Sequence, residues 1–444
     1  MNLNQLTKHL LAFWLFSVAT NLYAAIDLAE TYKLADKNDP QWSAIKHTYQ
    51  AQKENYYQVR SQLLPSLSLG AELAQKNTEA DGGSEDDYQQ QVYSASVSQP
   101  LFQMESWHNV KKAKATDKQI DIEFEAALQS FLIRILDTYL NVLRANETLA
   151  FRKAEESAIA RQKDQTEQRF QVGLIAKTDV HEAQAAFDIA VVQRIIAERD
   201  LSLSLKNLET LTGTLIKEVQ YLADDFPILL PQPNDINEWV NMALENNKSL
   251  RAAKLNESAA MHEYDAKKAL HYPTVDLVGS YQKLSTDATN VISGIQTETP
   301  DTETTTIALQ LNVPLYTGGL VSSSRRRAKS LLYKAQDDTR FTEKDLLKNV
   351  SNLVRVVQTR VAEVNAQRLS IRSAESALEA TKAGYEAGTR TIVDVLVAQR
   401  ALYQAKRNYA DARFNYILDS LRLKELAGIL SPEDIASINQ WLRV

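Results

Sequence analysis

The chain has 444 residues, of which 44% are hydrophobic and 24% charged, an ordinary balance for a folded protein that excludes wholesale disorder. A formal net charge of −6 argues against a general nucleic-acid binder, and the absence of cysteine removes disulfides, thiolate metal sites, cysteine nucleophiles and a lipid-modified N-terminal cysteine. Nothing resembles a phosphate-binding glycine loop, a nucleophile elbow or an H-E-x-x-H pair. The histidines, at 9, 47, 108, 181, 262 and 271, have no zinc-motif spacing. No enzyme, no cofactor and no metal ligand is therefore predicted.

Lys8 and His9 precede the apolar run Leu10 to Val18, and Leu22-Tyr23-Ala24-Ala25 follows. A basic start, a short apolar core and a small-residue cleavage site predict a secretory signal over 1–24, with cleavage after Ala24. The core is too short to span a bilayer, and no later stretch is long and apolar enough to do so. The expected organisation beyond it is a first repeat over 25–220, a Pro-rich linker over 221–235, a second repeat over 236–428 and a C-terminal segment over 429–444.

In the first repeat, Leu67, Leu69, Ala71 and Leu73 alternate with mostly polar or small residues, and Tyr93, Ala95 and Val97 alternate with Ser94, Ser96 and Ser98. Period two predicts strands at about 64–75 and 91–101, joined by an acidic polar loop over 76–90 that carries Glu79, Asp81, Glu85, Asp86 and Asp87. No proline then occurs between Pro100 and Pro227. Phe124, Leu128, Phe131, Ile135, Tyr139 and Val142 keep helical spacing. A continuous helix over about 104–172 would reach on the order of 100 Å, a length typical of coiled coils and helical tubes. Gly173 supplies a turn, with the hairpin tip near 173–179, and a second helix of roughly 40 residues ends near Gly213.

The second repeat copies this plan. Arg169 to Gly173 and Thr178-Asp179-Val180 match Gly384 to Gly388 and Val393-Asp394-Val395 at one constant offset, which holds to Gly213 and Gly428. Strands are expected at about 273–284 and 304–314, where Val275, Leu277, Gly279 and Tyr281, and then Ile307, Leu309, Leu311 and Val313, alternate with other residues. The second hairpin tip falls near 384–394. The four strands are either two amphipathic β-hairpins packed on a soluble core or part of a transmembrane barrel with lipid-facing and lumen-facing residues. Four strands cannot close a barrel, and an open edge in lipid leaves backbone groups unsatisfied. A membrane role therefore demands several chains per barrel.

Leu64-Pro65-x-Leu67, Gln99-Pro100-Leu101-Phe102, Arg169-Phe170-x-Val172-Gly173-Leu174-Ile175-Ala176-x-Thr178-Asp179-Val180, Pro314-Leu315-Tyr316-x-Gly318-Gly319 and Gly384-Tyr385-Glu386-Ala387-Gly388-Thr389-Arg390-Thr391-Ile392-Val393-Asp394-Val395-Leu396 resemble, in order, the TolC family of outer-membrane efflux proteins. The resemblance covers essentially the whole chain beyond the signal. It implies mixed α and β architecture: long antiparallel helical hairpins forming an α-helical barrel, and a transmembrane β-barrel shared by three protomers with four strands from each. It implies a homotrimeric outer-membrane channel-tunnel of a Gram-negative bacterium, reaching into the periplasm. Its partners would be an inner-membrane transporter, a periplasmic adaptor and outer-membrane lipid, and its cargo drugs, toxic small molecules or secreted proteins of type I secretion.

The resemblance also implies a periplasmic gate. Thr178 and Asp179 at one tip match gate residues, with Tyr385 and Arg390 at the other tip as their partners, and Asp394 matches a position that rings the tunnel entrance. The family pattern has a second acid one turn further on, where this chain has Val397, so a single acidic ring with weaker cation binding is expected. The same residues fit helix capping: Thr391-x-x-Asp394 reads as a capping box, and Thr178-Asp179 as a helix start with an acid in its first turn. Arg325-Arg326-Arg327 is read as a solvated helix face, while Trp107 and Tyr93 suit either an interface or a core. A soluble periplasmic coiled-coil adaptor is the alternative to a channel; a membrane-inserting toxin lacks the long apolar segment it would need.

Overall fold

The computed structural model describes residues 25–79, 85–292 and 295–443; the predicted signal sequence and Asp81 of the acidic loop lie outside the described residues. The two proline-free reaches fold as helices α3 (Met104–Gln171, 68 residues) and α7 (Leu320–Glu386, 67 residues). At 1.5 Å per residue each is about 100 Å long. They turn back into α4 (Lys177–Thr212) and α8 (Ile392–Leu426). Before α3 come α1 (Leu28–Asn38) and α2 (Pro40–Ser61), then strands β1 (Ser66–Glu79) and β2 (Glu85–Phe102). Between α4 and α7 lie β3 (Tyr221–Leu222), α5 (Ile236–Asn246), α6 (Lys248–Ala269), β4 (Thr274–Thr286), the short hairpin β5 (Thr289–Ile292) and β6 (Ile295–Glu298), and β7 (Thr302–Asn312). After α8 come α9 (Pro432–Asn439) and β8 (Leu442–Arg443). Among the described residues no helix is long and apolar enough to cross a membrane.

The chain divides into two compact units, with α3 and α7 running through both. One takes in the described residues up to Ala44 together with Leu128–Ala243 and Asn349–Val444. Its core begins with Leu132, Ile135, Leu136, Tyr139, Val142 and Leu143, a stripe at three- and four-residue steps along α3 that is almost wholly buried. Each such side chain contributes about 1.5–3 kcal/mol relative to exposure. Trp42 stacks on Phe131 with centroids 4.6 Å apart. The Tyr139 hydroxyl lies 3.1 and 3.0 Å from the carbonyl oxygens of Ile26 and Gln220, beside the parallel bridge between Ile26 and Val219. β3 pairs with β8, and the Asn439 side chain accepts from the Ala29 N–H at 3.1 Å and donates to Asp27 at 3.1 Å. The C-terminal segment thus ties down the start of the described chain. The sequence patterns did not distinguish α1, α2, α5 and α6 from the repeats around them.

Glu147, half-buried on α3, shows what this unit costs a carboxylate. Loss of water, opposed by Arg413 and reinforced by Asp224 and Asp411, pushes its carboxyl up to about 7. The folded chain holds this proton more tightly than the unfolded chain does. That stability is therefore fully present below the ordinary pKa of roughly 4.3 and is lost as pH rises through about 7. At ~1.4 kcal/mol per unit the effect is about 3–4 kcal/mol. Glu147→Gln should flatten this part of the pH dependence; a melting-temperature profile from roughly pH 4.5 to 8 that the substitution leaves unchanged would contradict the assignment.

The other unit, Ile45–Ala127 and Leu244–Lys348, holds the sheet. Its strand order is β1-β2-β4-β7, antiparallel throughout. The register puts Leu67 opposite Val97, Val97 opposite Gly279 and Gly279 opposite Ile307; the neighbouring row runs Leu69, Ala95, Tyr281 and Thr305. Directly opposed residues share a face, so the apolar residues of the period-two pattern assemble on one side. The other side carries Ser68, Ser96 and Ser280, with the Ser68 and Ser96 hydroxyls 2.7 Å apart. On that face a Cβ at Gly70 would meet the Ser94 hydroxyl at 2.8 Å.

The strands outrun the expected boundaries. β1 continues to Glu79 and β2 begins at Glu85, so most of the expected 76–90 loop is paired strand. Ladder hydrogen bonds join backbone groups whatever the side chains, and a polar stretch on an antiparallel ribbon still pairs. Between β4 and β7 the polar connection contains the β5–β6 hairpin. Among the described residues β1 and β7 each pair on one side only, so the sheet of the single chain is open. Its apolar face is bare: Leu69 and Ile307 are each 80% exposed. Below the sheet, Lys53 on α2 bonds Asp117 at 2.7 Å and Asp121 at 3.0 Å on α3.

Candidate gate at the helical hairpin tips

Both tips are built by the same device. α3 ends at Gly173, whose φ of 77° takes the left-handed conformation that side chains disfavour. Its N–H donates to the Phe170 carbonyl at 2.9 Å and the Leu174 N–H donates to the Arg169 carbonyl at 2.9 Å. Gly388 repeats this after α7: φ is 77°, its N–H bonds Tyr385 at 3.1 Å, and the Thr389 N–H bonds Gly384 at 2.8 Å. The double bond is a Schellman motif, which satisfies the last carbonyls of a helix.

The tips differ at their second helices. α8 is capped by Thr391: its hydroxyl accepts from the Asp394 N–H at 3.3 Å, and the Asp394 carboxylate accepts from the Thr391 N–H at 2.9 Å. The expected capping box is present. Hydrogen bonds from the Thr391 backbone and hydroxyl, with Arg390 nearby, hold the Asp394 carboxyl below the usual range, so it is ionised at neutral pH. At the first tip the N-cap is Ala176, which offers no side-chain acceptor. Thr178 and Asp179 sit in the first turn of α4, Thr178 exposed and Asp179 half-buried.

Tyr385 is buried at the end of α7, with the Arg169 guanidinium 4.8 Å from its ring centroid. Its hydroxyl is enclosed without a hydrogen-bond partner. Arg390 is exposed and folds back over Gly384, where a Cβ would meet its Cγ at 2.8 Å. Among the described residues no hydrogen bond or ion pair of one chain joins Thr178 or Asp179 to Tyr385 or Arg390. Sequence reading missed Arg169, although it stands at the position that Gly384 occupies in the second repeat.

Beneath the tips the hairpins pack through Ile159, Ala186, Ala190, Leu378, Tyr385, Ile392, Val395, Leu396 and Leu402. The alanines of α4 recur at 183, 186, 190 and 197, a narrow stripe that admits α8 closely. Further along, Glu155 on α3 is buried and accepts from Arg152 at 2.9 Å and from Arg407 on α8 at 3.2 Å. Arg194 on α4 pairs with Glu156 on α3 at 2.6 Å. Val397 is 58% exposed one turn after Asp394. Arg325, Arg326 and Arg327 are exposed, as read from sequence, and so are Trp107 and Tyr93.

The model of the family described as outer membrane efflux protein matches residues 31–214 and 239–429. The chain is 33% identical over 443 residues to outer membrane protein TolC of Vibrio cholerae serotype O1, covering 98% of this chain and 99% of that relative. It is 27% identical over 443 residues to alkaline protease secretion protein AprF of Pseudomonas aeruginosa, covering 97% and 91%. The crystal structure of outer membrane protein VceC from Vibrio cholerae has the same fold, with a TM-score of 0.76 at 18% identity over 90% of this chain and 96% of that one. With both halves matched, and with a helical hairpin pair and a four-stranded sheet in place, this chain belongs to the outer membrane efflux protein family, a family of channels rather than enzymes, and resides in the outer membrane.

Proposed function

We propose that three copies of this chain form the exit duct of tripartite efflux and type I secretion systems, joining their sheets into one twelve-stranded barrel and their helical hairpins into a tube. The observation that carries this reading is the open sheet with its bare apolar face. Lipid suits that face, but lipid forbids two unpaired strand edges. Threefold sharing, with β7 of one copy against β1 of the next, satisfies both demands. Cargo of this duct would be drugs, toxic small molecules or secreted proteins. An inner-membrane transporter and a periplasmic adaptor would supply the energy and the docking. The soluble adaptor considered from sequence loses its ground with the family match. The test is the protein mass of the particle extracted from outer membrane in mild detergent. About 150 kDa, three times the 49.9 kDa chain less signal peptides, is expected; a monomer would overturn the shared barrel.

The gate would lie at the hairpin tips. The Asp179 carboxylate lacks the N-cap partner that occupies Asp394, the Tyr385 hydroxyl has none, and Arg390 is exposed. These groups suit a latch between neighbouring hairpins, with Arg390 donating to Asp179 and Tyr385 bonding Thr178 or Asp179. Each solvated link is worth about 1 kcal/mol, so several across three chains hold a gate that a docking partner can open. Three copies of Asp394 would then form a single acidic ring that favours cations, with Val397 adding no second ring. Arg390→Ser should raise resting conductance severalfold in a planar bilayer; an unchanged conductance would remove Arg390 from the latch.

A further inference from the structure

His108 lies one turn into α3, and His262 and Asp265 lie near the end of α6. A three-residue step puts the latter two on one face of α6. One ring nitrogen of each histidine and one carboxylate oxygen of Asp265 lie within 4.8 Å of one another. The Nδ1 atoms of both rings are buried without any hydrogen-bond partner. Buried ring nitrogens normally find partners, so two orphaned ones on histidines that meet beside a carboxylate need a reason.

We propose that His108, His262 and Asp265 form a binding site for a divalent transition-metal ion of the zinc class, which clamps α3 to α6. Two imidazoles and a carboxylate suit zinc, cobalt, nickel or copper rather than calcium or magnesium, and a water completes a four-coordinate shell. Ligand atoms about 2.1 Å from such an ion stand roughly 3.4 Å apart, so the cluster needs to close by up to about 1.4 Å, within reach of small side-chain rotations. The nearby lysines Lys112 and Lys267 are already paired, with Glu263 at 2.8 Å and Glu105 at 3.0 Å. Those two ion pairs run along the same seam between α3 and α6. β2 leads into α3 and α6 leads into β4, and β2 and β4 pair in the sheet. The ion would therefore brace the base of that strand pair. The site belongs to the single chain and stands apart from the gate and from the assembly proposed above.

The test uses full-length protein without a histidine tag, purified in detergent and stripped with chelator. Titration with Zn²⁺ alone should show one saturable site per chain. His108→Gln and His262→Gln should each weaken it about 100-fold or more, while His47→Gln, at an exposed histidine of α2, leaves it intact. Retention of the site in a folded His262→Gln protein, or the absence of saturable binding in the parent, overturns the proposal. Should either variant fail to fold, X-ray absorption on the Co²⁺-loaded parent decides: two imidazoles per metal are expected, and fewer than two refute the site.

Discussion

Leu309→Arg is expected to abolish assembly in the membrane. Leu309 lies within β7, opposite Leu277 on β4, on the bare apolar face, and is 66% exposed. A cation on the lipid face of a barrel costs about 2–4 kcal/mol near the bilayer midplane. The threefold particle proposed above would carry the substitution three times, so the penalty would rise to roughly 6–12 kcal/mol per particle, comparable with the whole stability of a domain. Gln310, the next residue, points to the opposite face because strand side chains alternate. Gln310→Arg is therefore the control, and it should assemble nearly as the parent does. The measurement is the fraction of chain recovered as detergent-resistant oligomer from outer membrane. Equal recovery of both variants would mean that this face does not meet lipid.

Glu155→Ala should be strongly destabilising. The Glu155 carboxylate is shared by Arg152 from its own helix and by Arg407 from α8, and both Glu155 and Arg407 are buried. Removing it leaves two guanidinium groups side by side, with the Arg407 cation cut off from water. Deleting one partner of a buried ion pair costs about 3–5 kcal/mol. Glu155→Gln, which keeps acceptor oxygen but not charge, should cost less. Replacing all three residues with apolar ones of similar volume should restore much of the loss, because the desolvation penalty goes with the charges. The order expected in thermal or denaturant unfolding is parent, triple variant, Gln, then Ala. An Ala variant as stable as the parent would show that the cluster is solvated.

Features that depend on near neighbours along the chain are legible in the amino-acid order alone. The two proline-free reaches are long helices, Gly173 and Gly388 take the left-handed turn after them, and each alternating stretch lies in a strand, because helix, strand and turn each follow from local torsions and local alternation. The capping box at Thr391 and Asp394 is legible for the same reason. Strand ends are less so: the polar residues beyond Gln75 and before Gln91 carry no apolar signal, yet their backbones still pair. At the gate, the residues were recognisable by resemblance, but their states were not. That Tyr385 buries an unpartnered hydroxyl under Arg169, and that Asp179 lacks the cap Asp394 enjoys, follow from which groups meet in space.

By itself, the sequence determined that this is a chain of long helical hairpins and amphipathic strands, and its motifs pointed to an outer-membrane efflux family. Local physics suffices for that, since each element answers to residues within a turn or two of itself. The tertiary structure alone decided the strand order β1-β2-β4-β7 and its two open edges, the burial of Glu155 between two arginines, and the meeting of His108 with His262 and Asp265. Register and convergence between distant segments depend on how whole faces pack. No spacing rule along the chain can encode a contact between side chains that only the packed faces bring together.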